Sequence, residues 1–219
     1  GGMAESIVIE NDGLYEEAAP IHNKKPENLT AEEIIGIIEE AGIVGMGGAG
    51  FPTNIKLSPK NPKDITTIIV NGAECEPYLT SDYRRMVEQA EILVKGLKVV
   101  LSLFPGAMGY FGIEDNKPEA IRILSELVEA EPQIEVKKLK TKYPQGGERS
   151  LIYAITGKKL NSKKLPADLG CIVHNVDTIY SIYRAVYEGK PLIKRIVTVT
   201  GDAIKNPKNF EVRLGTSVD

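Results

Sequence analysis

Thr66 to Val70 (TTIIV) is an unbroken β-branched run with turn residues on either side. A strand with one solvated face alternates apolar and polar residues, so a continuous run predicts a strand covered on both faces. Strands of that type belong to parallel sheets, whose crossover connections lay helices over each face. The rest of the chain agrees. A helix capped by Ser81 or Asp82 is predicted to run to about Leu103, with Met86, Ala90, Leu93, Leu97, Val100 and Leu101 as its buried stripe. A strand at Met108 to Ile113, a helix from Pro118 to Glu129, a strand at Ile134 to Leu139 and a helix from Arg149 to Ile155 follow in alternation. Gly157 stops the last of these, Lys158 to Ala167 reads as a basic loop, and a further helix starts at Asn175 or Asp177 and ends near Glu188-Gly189. The expected class is α/β: a layered domain with a mostly parallel sheet flanked by helices.

The two ends of the chain read differently. Ser6 to Glu10 (SIVIE) is a short β-type run closed by Asn11-Asp12-Gly13, and Leu14 to Leu29 is an aperiodic linker with Pro20 and Pro26. Thr30 and Glu33 then form a capping box for a helix from Ala31 to Ala41, which Gly42 can end. Beyond Pro191 come strand pieces, Arg195 to Thr200 and Phe210 to Arg213, with no matching helix, as at the opening of a second, β-rich unit. The expected divisions are 1–29, 30–190 and 191–219.

Charge and composition exclude several classes. The formal net charge of −3, with both signs mixed along the chain, gives no basic footprint for nucleic acid. Cys75 and Cys171, and likewise His22 and His174, are too far apart to form a familiar metal or redox spacing, so no bound metal is expected. The opening Gly-Gly-Met-Ala-Glu-Ser has neither a basic stretch nor an apolar one, so no signal peptide is expected. The most apolar window, Leu97 to Phe104, falls far short of the roughly 20 residues of a membrane span.

Four clusters could carry chemistry. Five glycines, Gly42, Gly45, Gly47, Gly48 and Gly50, fall within one short stretch that continues as Phe51-Pro52-Thr53 and reaches Lys56. Side-chain-free residues let successive amides turn toward one anion, and Pro52 favours a helix start beside them, so a phosphate is the natural guest and Lys56 could add a point charge. The stretch lacks the GK[ST] ending of a P-loop and follows a helix rather than a first strand. The second cluster, Asn71, Glu74 and Glu76, leaves the end of the best buried strand, where open α/β sheets bind ligands; a solvated acidic turn closed by Pro77 explains it equally well. Tyr143, Gly146, Gly147 and Glu148 form the third, as a ligand loop or as the cap of the next helix. In the fourth, His174, Asn175 and Thr178, helix capping alone accounts for Asn175, and His174 by itself reads as structural.

Taken together and in order, GMGGAGFPTNIK, NGAECEPYLTSDYRRM, YPQGGER and HNVDT resemble the flavin-binding, NADH-oxidising subunit of respiratory complex I. The similarity is closer to the C subunit of the Rnf ferredoxin:NAD electron-transport complex, and it runs from about Ser6 onward. The resemblance implies FMN bound at Gly45, Gly47, Gly48 and Lys56 with contacts from Asn71 and Glu74, and a nicotinamide nucleotide, NAD(H), near Glu76 and stacked on Phe51. It also implies a second glycine loop at Tyr143, Gly146, Gly147 and Glu148, and a flavin-side segment at His174, Asn175 and Thr178. Hydride would pass between nicotinamide and flavin without a side-chain acid or base. Ala73, Gly147 and His174 depart from the complex I pattern in the manner of the Rnf branch. The family further implies that the initial strand is the remnant of an N-terminal barrel and that the final strands begin a β-grasp-like unit. Two [4Fe–4S] clusters would belong to the full-length protein only. The implied partners are other Rnf subunits, membrane subunits included, at the cytoplasmic face of the plasma membrane. Two alternatives stand beside it: a cobalamin reductase of bacterial microcompartments, which shares these motifs, and a non-catalytic assembly module of a membrane complex.

Overall fold

The computed structural model describes residues 7–161 and 163–217. Its centre is β1 (Thr67–Gly72), in which Ile68, Ile69 and Val70 are wholly buried. β1 pairs in parallel with β2 (Met108–Glu114) on one side and with β4 (Cys171–Asn175) on the other, while β3 (Ile134–Leu139) extends the sheet beyond β2. The order is therefore β3-β2-β1-β4, and all four strands point the same way. Their carboxyl ends share one rim.

Alternation along β1 sorts its side chains into two cores. Ile68 and Val70 join the larger one with α1 (Ala31–Glu40), α4 (Ala90–Leu103), α5 (Pro118–Val128) and α7 (Val176–Glu188). Ile69 joins Leu139, Leu151, Ile152, Cys171 and Val173 in the smaller core beneath α6 (Glu148–Thr156). Both faces are thus covered, as the TTIIV run requires. α4 and α7 lie in close contact at Gly96, where an added Cβ would stand 2.5 Å from the Ile179 carbonyl oxygen. The capping box at the head of α1 forms as read: Thr30 Oγ1 accepts from the Glu33 amide at 3.2 Å and Glu33 accepts from the Thr30 amide at 2.9 Å.

Several expectations are corrected. The single long helix is two, α3 (Ser81–Glu88) and α4, because Gln89 leaves helical geometry at φ −130°, ψ 26°. Both helices pack on α5 and α7, and α3 also reaches the C-terminal hairpin. Thr80, not Ser81 or Asp82, occupies the capping position of α3, and its side chain caps nothing. β4 is a strand that the sequence reading lacks: its five residues sit between a basic loop and the Asn175 helix cap, and the cap signal stands in front of the strand. Ile7 to Glu10 form no strand; these residues are exposed and have no neighbouring strand to pair with, and Ser6 lies outside the described residues. At the other end, β5 (Lys194–Val199) and β6 (Lys208–Arg213) make an antiparallel pair, so the small β-rich piece is present.

Candidate functional site

A cavity of about 570 Å³ opens at the carboxyl rim of β1 and β4. Gly47, Asn71, Glu74, Glu76, Gly146 and Asn175 line it, so all four of the sequence clusters reach one concavity. The topology explains the convergence: the segments leaving β1 and β4, and the loop that opens α6, all turn over the same edge.

The glycine loop leaves α1 and is closed on itself by a bridge between Val44 and Pro52. The Gly45 amide donates to the Phe51 carbonyl at 2.9 Å and the Thr53 amide to Ile43 at 3.0 Å, while the Met46 amide donates to Thr178 Oγ1 at 3.0 Å. Among the described residues, the amides of Gly47, Gly48, Ala49 and Gly50 donate to no protein acceptor. Consecutive open donors on a short turn are a backbone arrangement that can receive an anion, and of these four residues Gly47 lines the cavity. Gly47 is required by space, since an added Cβ would lie 2.9 Å from Asn175 Nδ2, whereas nothing lies within 4 Å of one added at Gly48. Phe51 stands half exposed beyond the loop. The helix that follows, α2 (Thr53–Lys56), is a single turn. Lys56 is not in the cavity lining: its ammonium donates to the Val173 carbonyl on the outer edge of β4 at 2.9 Å and lies 3.4 Å from Glu148.

The exit from β1 is tied to the second glycine loop. Asn71 Nδ2 donates to the Gly146 carbonyl at 2.9 Å, Asn71 Oδ1 accepts from the Ala73 amide at 3.2 Å, and the Gly146 amide donates to Cys75 Sγ at 3.3 Å. Glu74 sits at φ +40° and turns its carboxylate onto the start of α3, where its two oxygens accept the amides of Asp82 at 2.7 Å and Tyr83 at 3.1 Å. Glu74 therefore supplies the cap that Thr80 does not. Burial raises its carboxyl above the usual range against the lowering pull of these amides. Glu76 is exposed and makes no hydrogen bond among the described residues; it stands between the cavity and a second one of about 420 Å³ that also includes Lys117, Lys142 and the exposed Tyr143. Gly147 ends its loop as the cap residue of α6, and Glu148 is the first residue of that helix.

On the β4 side, Asn175 caps α7 by accepting the Asp177 amide at 2.8 Å and donates to Asp82 at 2.7 Å. Asp177 pairs with the buried Arg85 at 2.9 Å, and that guanidinium lies 3.6 Å from the centre of the Tyr180 ring. Asp82 is pushed up to about 7, first by burial and then by the neighbouring Glu74 carboxylate, with Asp177 adding to it. His174 is buried on β4 with Nε2 unpartnered, and burial, with the Lys56 ammonium adding to it, pushes its imidazole down to about 3. It is neutral at any ordinary pH.

A profile of the Nuo51 FMN-binding domain family matches residues 38–184. The chain belongs to that family. Among curated relatives, the C subunit of the proton-translocating ferredoxin:NAD(+) oxidoreductase complex of Clostridium ljungdahlii is 47% identical over 218 residues, 99% of this chain and 47% of the relative. The C subunit of the Na(+)-translocating ferredoxin:NAD(+) oxidoreductase complex of Acetobacterium woodii is 46% identical over 219 residues, 98% of this chain and 49% of the relative. The chain thus spans about half the length of these curated relatives. A chain of the NAD+-reducing [NiFe]-hydrogenase in its air-oxidized state shares the fold, with a TM-score of 0.71 at 22% identity over 85% of this chain and 37% of that one.

The Nuo51 match begins within α1 and ends within α7, so it contains every segment at the cavity except β5, from which Arg195, Ile196, Val197 and Thr198 form a further wall. Sequence reasoning missed Arg195, Asp82, Asp177 and Arg85. Asp82 and Asp177 each stand near a helix start, where capping suffices to explain an acid. The signal that could have joined them is the cation Arg85 one turn after Asp82, buried on a helix otherwise rich in surface charge.

Proposed function

We propose that this chain is the FMN-binding electron-input module of an Rnf-type ferredoxin:NAD oxidoreductase complex. The observation that carries this reading is the glycine loop at the carboxyl rim of a parallel sheet: Gly47 lines the cavity there, and the amides that follow it, Gly48 to Gly50, donate to no protein acceptor among the described residues. The fit to a flavin nucleotide is good on two counts: the cavity is of cofactor size, and the glycine loop at its edge carries amides with no protein acceptor among the described residues. The family match and the names of the curated relatives support the same assignment, and favour the Rnf branch over a cobalamin reductase.

In this reading the glycine loop, Gly45 to Gly50, holds the phosphate, and Asn71, Gly146 and Asn175 shape the wall beside it. When bound, FMN supplies a two-electron acceptor for hydride from NADH. Glu76, an exposed carboxylate at the divide between the two cavities, is positioned to accept hydrogen bonds from a ribose of the nicotinamide nucleotide, while the exposed Phe51, the stacking ring in this reading, lies on the glycine loop outside the linings of both cavities. Lys56 acts from behind the site by tying the turn after the glycine loop to β4 and α6, and it adds to the burial that keeps His174 neutral. The iron–sulfur centres that would accept the electrons, and the membrane subunits that would anchor the module at the cytoplasmic face, belong to parts of the complex outside these residues. The strands after Pro191 begin a further β-grasp-like unit of the longer protein.

Titration of the purified chain with FMN, followed by quenching of flavin fluorescence, tests the proposal. Saturable one-to-one quenching is expected, and Gly48→Val should abolish it while leaving the thermal midpoint unchanged, because its side chain meets no protein atom within 4 Å of the added Cβ. Absence of binding in the wild type, or binding unaffected by Gly48→Val, favours a scaffold with no cofactor.

A further inference from the structure

Among the described residues that line the main cavity, Arg195 is the only cation, and the other charged members are the carboxylates Glu74, Glu76, Asp82 and Asp177. It stands on β5, beyond the end of the family match at residue 184. Its guanidinium donates through Nη2 to the carbonyl of Met46 at 3.2 Å, which places it directly beside the open amides of the glycine loop. Among the described residues its remaining N–H groups reach no acceptor and it pairs with no carboxylate. A guanidinium offers five donors in a fixed fork suited to phosphoryl oxygens, so most of this one is uncommitted.

The strand that carries Arg195 is fastened at both ends to the site. The Leu192 amide donates to Ala41, just before the glycine loop, at 2.8 Å. At the far end Thr198 Oγ1 donates to Asn209 Oδ1 at 2.7 Å, and Asn209 Nδ2 donates to Thr80 Oγ1 at 3.0 Å, on the segment that leaves β1. The alternation of the hairpin turns Lys194 the other way, onto Glu211 at 3.5 Å.

We infer that Arg195 is an anion-binding residue of this cavity, bringing a guanidinium from the C-terminal hairpin to a phosphoryl group of the nucleotide seated on the glycine loop. The inference rests on the cofactor reading above. It answers a charge problem that reading leaves open: a phosphate dianion entering a cavity lined by carboxylates needs a counter-charge, and Lys56 is engaged with Val173 and Glu148 outside the lining. The phosphoryl group is that of FMN or the pyrophosphate of the nicotinamide dinucleotide, and the experiment separates them.

The chain and its Arg195→Ala, Arg195→Lys and Lys194→Ala variants are titrated with FMN and with riboflavin, which lacks the phosphate, and the FMN-loaded proteins are titrated with NADH. Thermal midpoints are recorded for each. Arg195→Ala is expected to weaken FMN by roughly 10- to 100-fold while leaving riboflavin unchanged, as loss of a charge-assisted hydrogen bond requires. Arg195→Lys should recover part of the affinity, and Lys194→Ala should match the wild type. If FMN binding is retained and NADH weakens instead, the dinucleotide pyrophosphate is the group held and the inference stands. Equal loss of FMN and riboflavin, or no change for any ligand, overturns it. A wild type that binds no FMN fails the cofactor reading itself, a result distinct from a wild type that binds FMN and a variant that binds it equally well.

Discussion

The half-buried Asp82 and the buried His174 are ionisable groups at one rim whose pKa values move in opposite directions, and their pH signatures differ in sign. Asp82 has its carboxyl pushed up to about 7, so the folded chain holds that proton more tightly than the unfolded chain does. Its contribution is complete below the unfolded value of about 4 and is lost as pH rises through 7. His174, pushed down to about 3, contributes fully above the unfolded value near 6.5 and loses that contribution as pH falls, by about 2 kcal/mol at pH 5. Asp82→Asn keeps an acceptor for Asn175 and removes the charge. It should therefore stabilise the chain by about 1–2 kcal/mol at pH 8 in urea unfolding, with the difference vanishing near pH 4. A difference that stays constant across that range would show that the carboxylate is not strained by burial. Single residues are unevenly legible in the sequence. Glycines are readable because the absence of a side chain is itself the function, and Gly47 beside Asn175 is the structural form of that signal. Glu74 is readable as a rim carboxylate but not as a cap, because its reach to α3 depends on a backbone reversal that no local pattern shows.

At the scale of elements, α3 owes its start to Glu74. Each of its oxygens takes one of the first amides of the helix, and among the described residues no other side chain caps that terminus. Glu74→Ala should cost about 1 kcal/mol of stability by urea unfolding, the usual worth of a lost helix cap, with Glu74→Gln losing less. An alanine variant as stable as the wild type would mean that water serves these amides equally well. The strong helical periods of α1, α5 and α7 and the runs of β1, β2 and β3 are legible because each is long enough to show its period. β4 and the break at Gln89 are not: the first runs straight into the Asn175 helix cap, whose signal masks it, and the second interrupts a helical pattern that continues through it in the sequence.

At the scale of the molecule, chain order conceals the site. Segments around residues 71, 146 and 175 meet at one rim because the parallel strands end together, as the class of fold read from TTIIV and the alternation that follows it already implies, and the glycine loop around residue 47 joins them through the bond of the Met46 amide to Thr178. Nothing in the order implies that β5 would return to close the wall, since its position rests on hydrogen bonds to Ala41 and Thr80 far away in sequence. The central claim is that open backbone donors on the first glycine loop receive the phosphate of a flavin nucleotide. Amide chemical-shift mapping of the ¹⁵N-labelled chain during FMN titration addresses it directly. The largest shifts are expected at Gly47, Gly48, Ala49 and Gly50 and should be much smaller with riboflavin; saturation by FMN with these four amides unmoved would contradict it.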